Sequence, residues 1–221
     1  MFKTELHCHS MPMSLCARVD NDVIIEKYLN AGYSTIVLTN HFNQGTINGH
    51  GFKSYKEFAD AYIGAYKSLK EASRGRLEIL LGMEMRFNRN INDYLVFGID
   101  ENFIYNNPSA FDMSIDSYHK LVNSYGGLLI QAHPFRNDMT VVPPYLLDGV
   151  EVFNGHMGHD SRNDIANMWA DKHSLIKTSG TDFHYADVPV NAGIMTSEKI
   201  TDMKMLVEIL KSGNYTLIKN L

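Results

Sequence analysis

The sequence predicts an α/β fold of the barrel type. Three observations carry the prediction. Short aliphatic or β-branched runs recur along the chain, and the longer stretches between them hold apolar residues three and four positions apart. Several of the short runs are apolar throughout, as strands buried on both faces of a parallel sheet are. The 221 residues fit a single domain spanning 1–221, because one core stops growing only near about 250 to 300 residues. No internal repeat, low-complexity tract or linker marks a boundary.

The elements follow in order. A strand is expected over 2–6, and then a helix over 22–31, with Asn21 and Asp22 at its start and Gly32 just past its end. Ile36-Val37-Leu38 marks a strand over 35–39, and the apolar spacing of 55–72 marks the next helix. Strands over 77–81 and 94–98 come next. After Pro108 a helix over 109–125 is closed by Gly126-Gly127 and leads into a strand over 128–132. A strand over 149–152, a helix over 162–173, a strand over 176–179, a helix over 202–211 and a strand over 215–218 complete the alternation. Crossover helices of this kind bring the carboxyl ends of the strands to one face, where barrel active sites are built.

Composition narrows the function. With 44% hydrophobic and 20% charged residues the chain is that of an ordinary globular protein. A net charge of -5 lacks the basic field of a polynucleotide binder, which argues against long nucleic acid and leaves short substrates open. Neither a membrane-spanning apolar run nor a signal-peptide pattern is read, so a cytoplasmic location is expected. The two cysteines, Cys8 and Cys16, form no CxxC pair and are expected to be reduced.

The chemistry collects at the ends of the apolar runs. His7 and His9 flank Cys8, and in an extended chain period two would turn both imidazoles to one side. The run 36–39 leads to His41, 80–83 to Glu84, 129–132 to His133, 149–153 to Asn154, and 177–181 to Asp182 and His184. Singly, each has a structural reading: Asp182 as a turn cap, Glu84 as a partner of Arg86, His133 as the residue before a proline turn. Together they read as one cluster, and imidazoles with carboxylates suit Zn, Fe or Mn. A carboxylate such as Glu84 is able to bridge two ions about 3.5 to 4 Å apart. Arg86 and Arg136 follow Glu84 and His133 closely and carry the guanidinium forks that match phosphate oxygens, although surface ion pairing explains them equally well. Asn40 and Asn154 are placed to support a ligand. His50, His156 and His159 lie in Gly-containing loops that border the face, while His119 and His173 fall inside helices.

The stretches His7-Cys8-His9-Ser10, Thr39-Asn40-His41, Gly82-Met83-Glu84, Ala132-His133-Pro134, Glu151-Val152-Phe153-Asn154 and Ser179-Gly180-Thr181-Asp182-Phe183-His184, in that order, resemble the PHP superfamily, named for polymerase and histidinol phosphatase. The resemblance implies a distorted, seven-stranded β/α barrel with two or three divalent metal ions. One metal position would use His7, His9, Glu84 and Asp182, a second Glu84 and His133, and a third His41 and His184. Cys16 stands near where the family commonly has Asp or His for the third position, so either a thiolate ligand or a weakly bound third metal is expected there. A further family histidine has no clear counterpart, with Tyr94 or His119 as its nearest stand-in. Asn40 replaces a frequent Asp.

The activity implied is hydrolysis of a phosphate monoester of a small metabolite by metal-activated water. Arg86 and Arg136 would hold the nonbridging oxygens, with His184 or Asp182 protonating the leaving group. Two other readings stay open: a phosphodiesterase or exonuclease acting on short nucleotides, and a non-catalytic metal-binding module.

Overall fold

The computed structural model describes residues 1–220. Strand β1 (Phe2–Cys8) is buried from Thr4 onward. Helix α1 (Asn21–Asn30) is capped by the Asp20 side chain, which accepts from the Val23 amide, and it buries Ile24, Ile25 and Tyr28. Then come β2 (Tyr33–Leu38), β3 (His41–Phe42), α2 (Gln44–His50), α3 (Tyr55–Ser73), β4 (Glu78–Leu81), β5 (Met83–Met85) and β6 (Tyr94–Phe97). After α4 (Glu101–Asn106), α5 (Ile115–Ser124), β7 (Leu128–Gln131) and β8 (Gly149–Asn154), the chain ends through α6 (Asn163–His173), β9 (Ile176–Gly180), β10 (Ala192–Thr196), α7 (Met203–Ser212) and β11 (Thr216–Lys219).

The fold is α/β with two mixed sheets. One sheet runs β11-β10-β1-β2-β4 and the other β3-β5-β6-β7-β8-β9. The expected α/β class is thus seen, in two sheets neither of which closes on itself. The chain passes from the first sheet to the second at two breaks, Thr39-Asn40 between β2 and β3 and Gly82 between β4 and β5. Gly82 is required at its break: a Cβ there would lie 2.7 Å from Val37 Cγ1 and 3.1 Å from Thr39 Cγ2. A single parallel bridge between Cys8 and Phe183 joins β1 to the segment leaving β9. There the His9 amide donates to the Phe183 carbonyl at 3.1 Å.

Two strands reverse direction. β6 is antiparallel to both β5 and β7, and β10 is antiparallel to β1 and β11. The segment between Met85 and Tyr94 is shorter than the dozen or so residues that a parallel crossover needs, so β6 must run back. The short elements β3, β5, β10, α2 and α4 add to those the periodicity predicts. The helix expected over 109–125 is split into a single 3-10 turn, Ala110–Asp112, and α5, whose new start is set by the Ser114 side chain accepting from the Ser117 amide.

The core falls into three packed groups. Between the strands and α7, Leu6, Val37, Leu95 and Ile130 meet Leu206 and Leu210. Under α1, Ile24, Ile25 and Tyr28 meet Ile36, Leu38 and Ile79. On the side of α3, an aromatic cluster of Phe42, Phe58, Tyr62 and Phe111 packs beneath the second sheet. Among the described residues no helix is long and apolar enough to cross a membrane.

Candidate metal centre

The strand ends bring the predicted ligands to one place. His7 lies in β1, with His9 just past its end, His41 in β3 and Glu84 in β5. His133 follows β7, and Asp182 and His184 follow β9. His133 and Asp182 hold positive φ values of 27° and 53°, a backbone conformation that side-chain-bearing residues adopt at a cost of order 1 to 3 kcal/mol and that clusters at functional sites. The cluster opens into a cavity of about 230 Å³ whose wall includes Cys16, His41, Glu84, His133, Asp182 and His184. His7 and His9 lie beneath it, fully buried.

Glu84 stands at the centre. Its Oε1 is 3.3 Å from His7 Nε2 and 3.2 Å from His133 Nε2, while its Oε2 is 2.6 Å from His41 Nδ1 and 3.6 Å from His9 Nε2. Asp182 Oδ1 lies 3.4 Å from His7 Nε2 and 3.3 Å from His9 Nε2. Burial opposes the Glu84 charge, yet the His41 and His7 imidazoles beside it hold its carboxyl well below the usual carboxylate range. Asp182 is held down in the same way, against burial, first by His7. Burial with the neighbouring His184 and His41 pushes His9 well below its ordinary value. Although burial alone would raise the Cys16 thiol, hydrogen bonds from His184 and His41 bring it down to about 6.

Buried polar atoms in folded proteins are nearly always paired. Here His7 Nε2 and His9 Nε2 are buried without a hydrogen-bond partner, and both face the Glu84 and Asp182 carboxylates. Donor atoms of three sets, His7 with Glu84 and His133, His7 with His9 and Asp182, and His9 with His41 and His184, lie within 4.8 Å of one another. Unsatisfied imidazole nitrogens and carboxylate oxygens converging in this manner fit divalent transition cations. The residues around them supply the second layer that metal-binding histidines need. Glu151 Oε1 is 2.9 Å from His7 Nδ1, and Glu151 Oε2 accepts from the His133 amide at 2.9 Å. Asn154 Nδ2 donates to Glu151 at 2.9 Å and to Asp182 at 3.1 Å. Asn40 Oδ1 accepts from the Ser10 amide and the Ser14 hydroxyl, and that hydroxyl lies 3.0 Å from His9 Nδ1.

Arg86 and Arg136 both line the cavity, and both turn to an acid the sequence reading overlooked. Arg86 Nε and Nη2 each donate to the Asp93 carboxylate at 2.6 Å, and Arg136 Nη2 is 3.6 Å from it. Asp93 Oδ2 also lies 3.8 Å from His133 Nε2. Asp93 precedes β6, the reversed strand, so the amino end of that strand faces the site. The signal in the sequence is an acid directly before the apolar run Tyr94-Leu95-Val96-Phe97, a short loop after Glu84.

The two residues suggested for the missing family histidine are elsewhere. Tyr94 is buried in β6 with its hydroxyl accepting from Asn92, and His119 sits on α5 against Asp148 at 3.2 Å. Of the loop histidines, His156 and His159 line the cavity, with His159 Nε2 3.8 Å from Asp182, whereas His50 instead bonds the Met13 carbonyl.

No curated protein matches the chain by sequence. Solved structures do match it in fold. A two-domain protein of Bacteroides vulgatus, containing a predicted PHP-like metal-dependent phosphoesterase, superposes with a TM-score of 0.71 at 15% identity. The match covers 99% of this chain and 65% of that one, so this chain spans less than two thirds of its length. An amidohydrolase of Chromobacterium violaceum with bound sulfate and no metal matches with a TM-score of 0.56 at 16% identity, covering 97% of each chain. A lesion-specific endonuclease of Pyrococcus furiosus gives 0.62 at 13% identity, covering 98% of this chain and 57% of that one. At such identities the likeness is one of fold. The profile of the PHP domain matches residues 5–184, which is most of the chain and spans every ligand from His7 to His184, and by that match the protein belongs to the PHP domain family.

Proposed function

We propose that the protein is a metal-dependent phosphoesterase that hydrolyses a phosphate monoester of a small metabolite. The observation that carries the reading is Glu84, a buried carboxylate whose two oxygens face different imidazoles, His7 and His133 on one side and His41 and His9 on the other. We read the two linked sheets as the distorted seven-stranded barrel of the family, with His7, His9, Glu84, His133 and Asp182 holding two divalent ions of the Zn, Mn or Fe class. The chemistry such ions supply when bound is polarisation of phosphoryl oxygens and a lowered pKa of water.

The chain's own residues do the rest. Glu151 holds the His7 ring, and Asp93 engages Arg86 through Nε and Nη2, so that Nη1 of Arg86 and the free edge of Arg136 remain for nonbridging phosphate oxygens. His184 or Asp182, both in the cavity wall, would give the leaving alkoxide its proton. A cavity of about 230 Å³ is below the range of drug-sized pockets and supports a phosphoryl group with a small leaving group.

The fold likeness to the Pyrococcus endonuclease favours one second reading, hydrolysis of a phosphodiester in a short nucleotide. Turnover of p-nitrophenyl phosphate and bis(p-nitrophenyl) phosphate with added manganese separates the two. Faster monoester hydrolysis supports the proposal, faster diester hydrolysis replaces it with the second reading, and no hydrolysis of either with any of the three metals leaves a binding module.

A further inference from the structure

We infer that Cys16, His41 and His184 build a thiolate–imidazole cation position, chemically distinct from the carboxylate-rich position around Glu84 and selective for zinc-class ions. The inference rests on the metal-centre reading above and assigns one of its positions a ligand chemistry of its own.

The geometry runs through the two imidazoles. Cys16 Sγ lies 3.1 Å from His41 Nε2, and the Nδ1 of that ring is 2.6 Å from the Glu84 carboxylate. The Nδ1 of His184 is 2.9 Å from the Asp182 carbonyl and 3.3 Å from the Asp182 carboxylate, and His184 shares the cavity wall with Cys16 and His41. Both rings are thus fixed through one nitrogen, the arrangement in which an acidic or carbonyl partner orients an imidazole for a metal, and His41 presents its other nitrogen to the sulfur.

His9 points to a ligand independently of the cysteine. It is fully buried, its Nδ1 is engaged by Ser14, and its Nε2 has no hydrogen-bond partner. That ring packs 4.1 Å from His184 and 4.4 Å from His41, with donor atoms of all three within 4.8 Å. The loop carrying Cys16 is itself pinned. Asn40 holds it at Ser10 and Ser14, and the Arg18 amide donates to the His184 carbonyl at 2.8 Å. A soft thiolate with imidazoles favours zinc or cobalt over manganese or magnesium, whereas Glu84 and Asp182 accept either class. When the ion binds, the S–H proton leaves to solvent as the sulfur–metal bond forms.

Cobalt(II) titration of the chelator-treated chain tests this. The parent should develop a near-ultraviolet sulfur-to-cobalt charge-transfer band together with visible ligand-field bands. Cys16→Ser should lose the charge-transfer band, keep ligand-field bands from the carboxylate position, and bind one equivalent less zinc or bind it at least about tenfold more weakly. Cys16→Asp keeps a ligand oxygen and should restore the equivalent without the band, so a poorly folding serine variant leaves the test intact. Cys8 is present in every variant and controls for the other thiol. A parent that shows ligand-field bands with no charge-transfer band, or a serine variant with parental zinc content and affinity, overturns the thiolate position while leaving the metal centre. A parent that takes up no divalent ion overturns both.

Discussion

The buried Glu151 carboxylate lies 2.9 Å from His7 Nδ1 and so turns the opposite nitrogen of that ring, unpaired, toward Glu84 and Asp182. The same carboxylate accepts from the His133 amide and from Asn154. Glu151→Gln removes the charge and puts a donor where two donors already point. Metal affinity, measured by competition with a chelator, should fall by about 10- to 100-fold while the fold persists. Unchanged affinity would mean that His7 needs no orienting partner.

Gly180 ends β9 against this pair. An added Cβ would lie 2.3 Å from His7 Cβ and 2.7 Å from Glu151 Oε1. Since neither neighbour has room to retreat in a buried cluster, Gly180→Ala should cost about 1 to 3 kcal/mol in denaturant unfolding, the usual penalty of overpacking, and should lower metal content. Parental stability with full metal would show that β1 moves freely relative to β9.

Arg86 is the third test. Its fork meets Asp93 through two bonds of 2.6 Å, and a lysine cannot both hold that buried acid and reach an anion. Arg86→Lys keeps the charge, so Asp93 is not left alone in the protein. The KM for a phosphomonoester should rise at least about tenfold, with a smaller change in kcat. An unchanged KM would assign Arg86 to the support of Asp93 and nothing more.

How much of this was legible in the sequence depends on the direction of each strand. His41, Glu84, His133, Asp182 and His184 follow or end apolar runs that go into parallel strands or into strands ending at the site, and the rule that chemistry gathers at carboxyl ends finds them. Asp93 escaped because β6 is reversed and presents its amino end, a fact set by the length of the preceding loop and invisible to hydrophobic period. The two sheets escaped for a related reason. β2 with β3, and β4 with β5, each read as one run, and only the close approach of Val37 and Thr39 to Gly82 shows where the chain leaves one sheet for the other. Cys16 lies in an irregular loop whose position is fixed by Asn40 and the His184 carbonyl, contacts between residues far apart in sequence.

Glu84 carries the central claim, because it is the one residue whose two carboxylate oxygens face both sides of the cluster. The direct test is the metal content and phosphomonoester turnover of Glu84→Gln, measured beside its circular dichroism. The variant keeps the shape of the side chain and loses the charge that now sits among His7, His9, His41 and His133. Bound metal should decrease and turnover should fall by at least about 100-fold, with the spectrum of the folded chain retained. A folded variant that holds its full complement of metal and turns over at the parent rate would contradict the account.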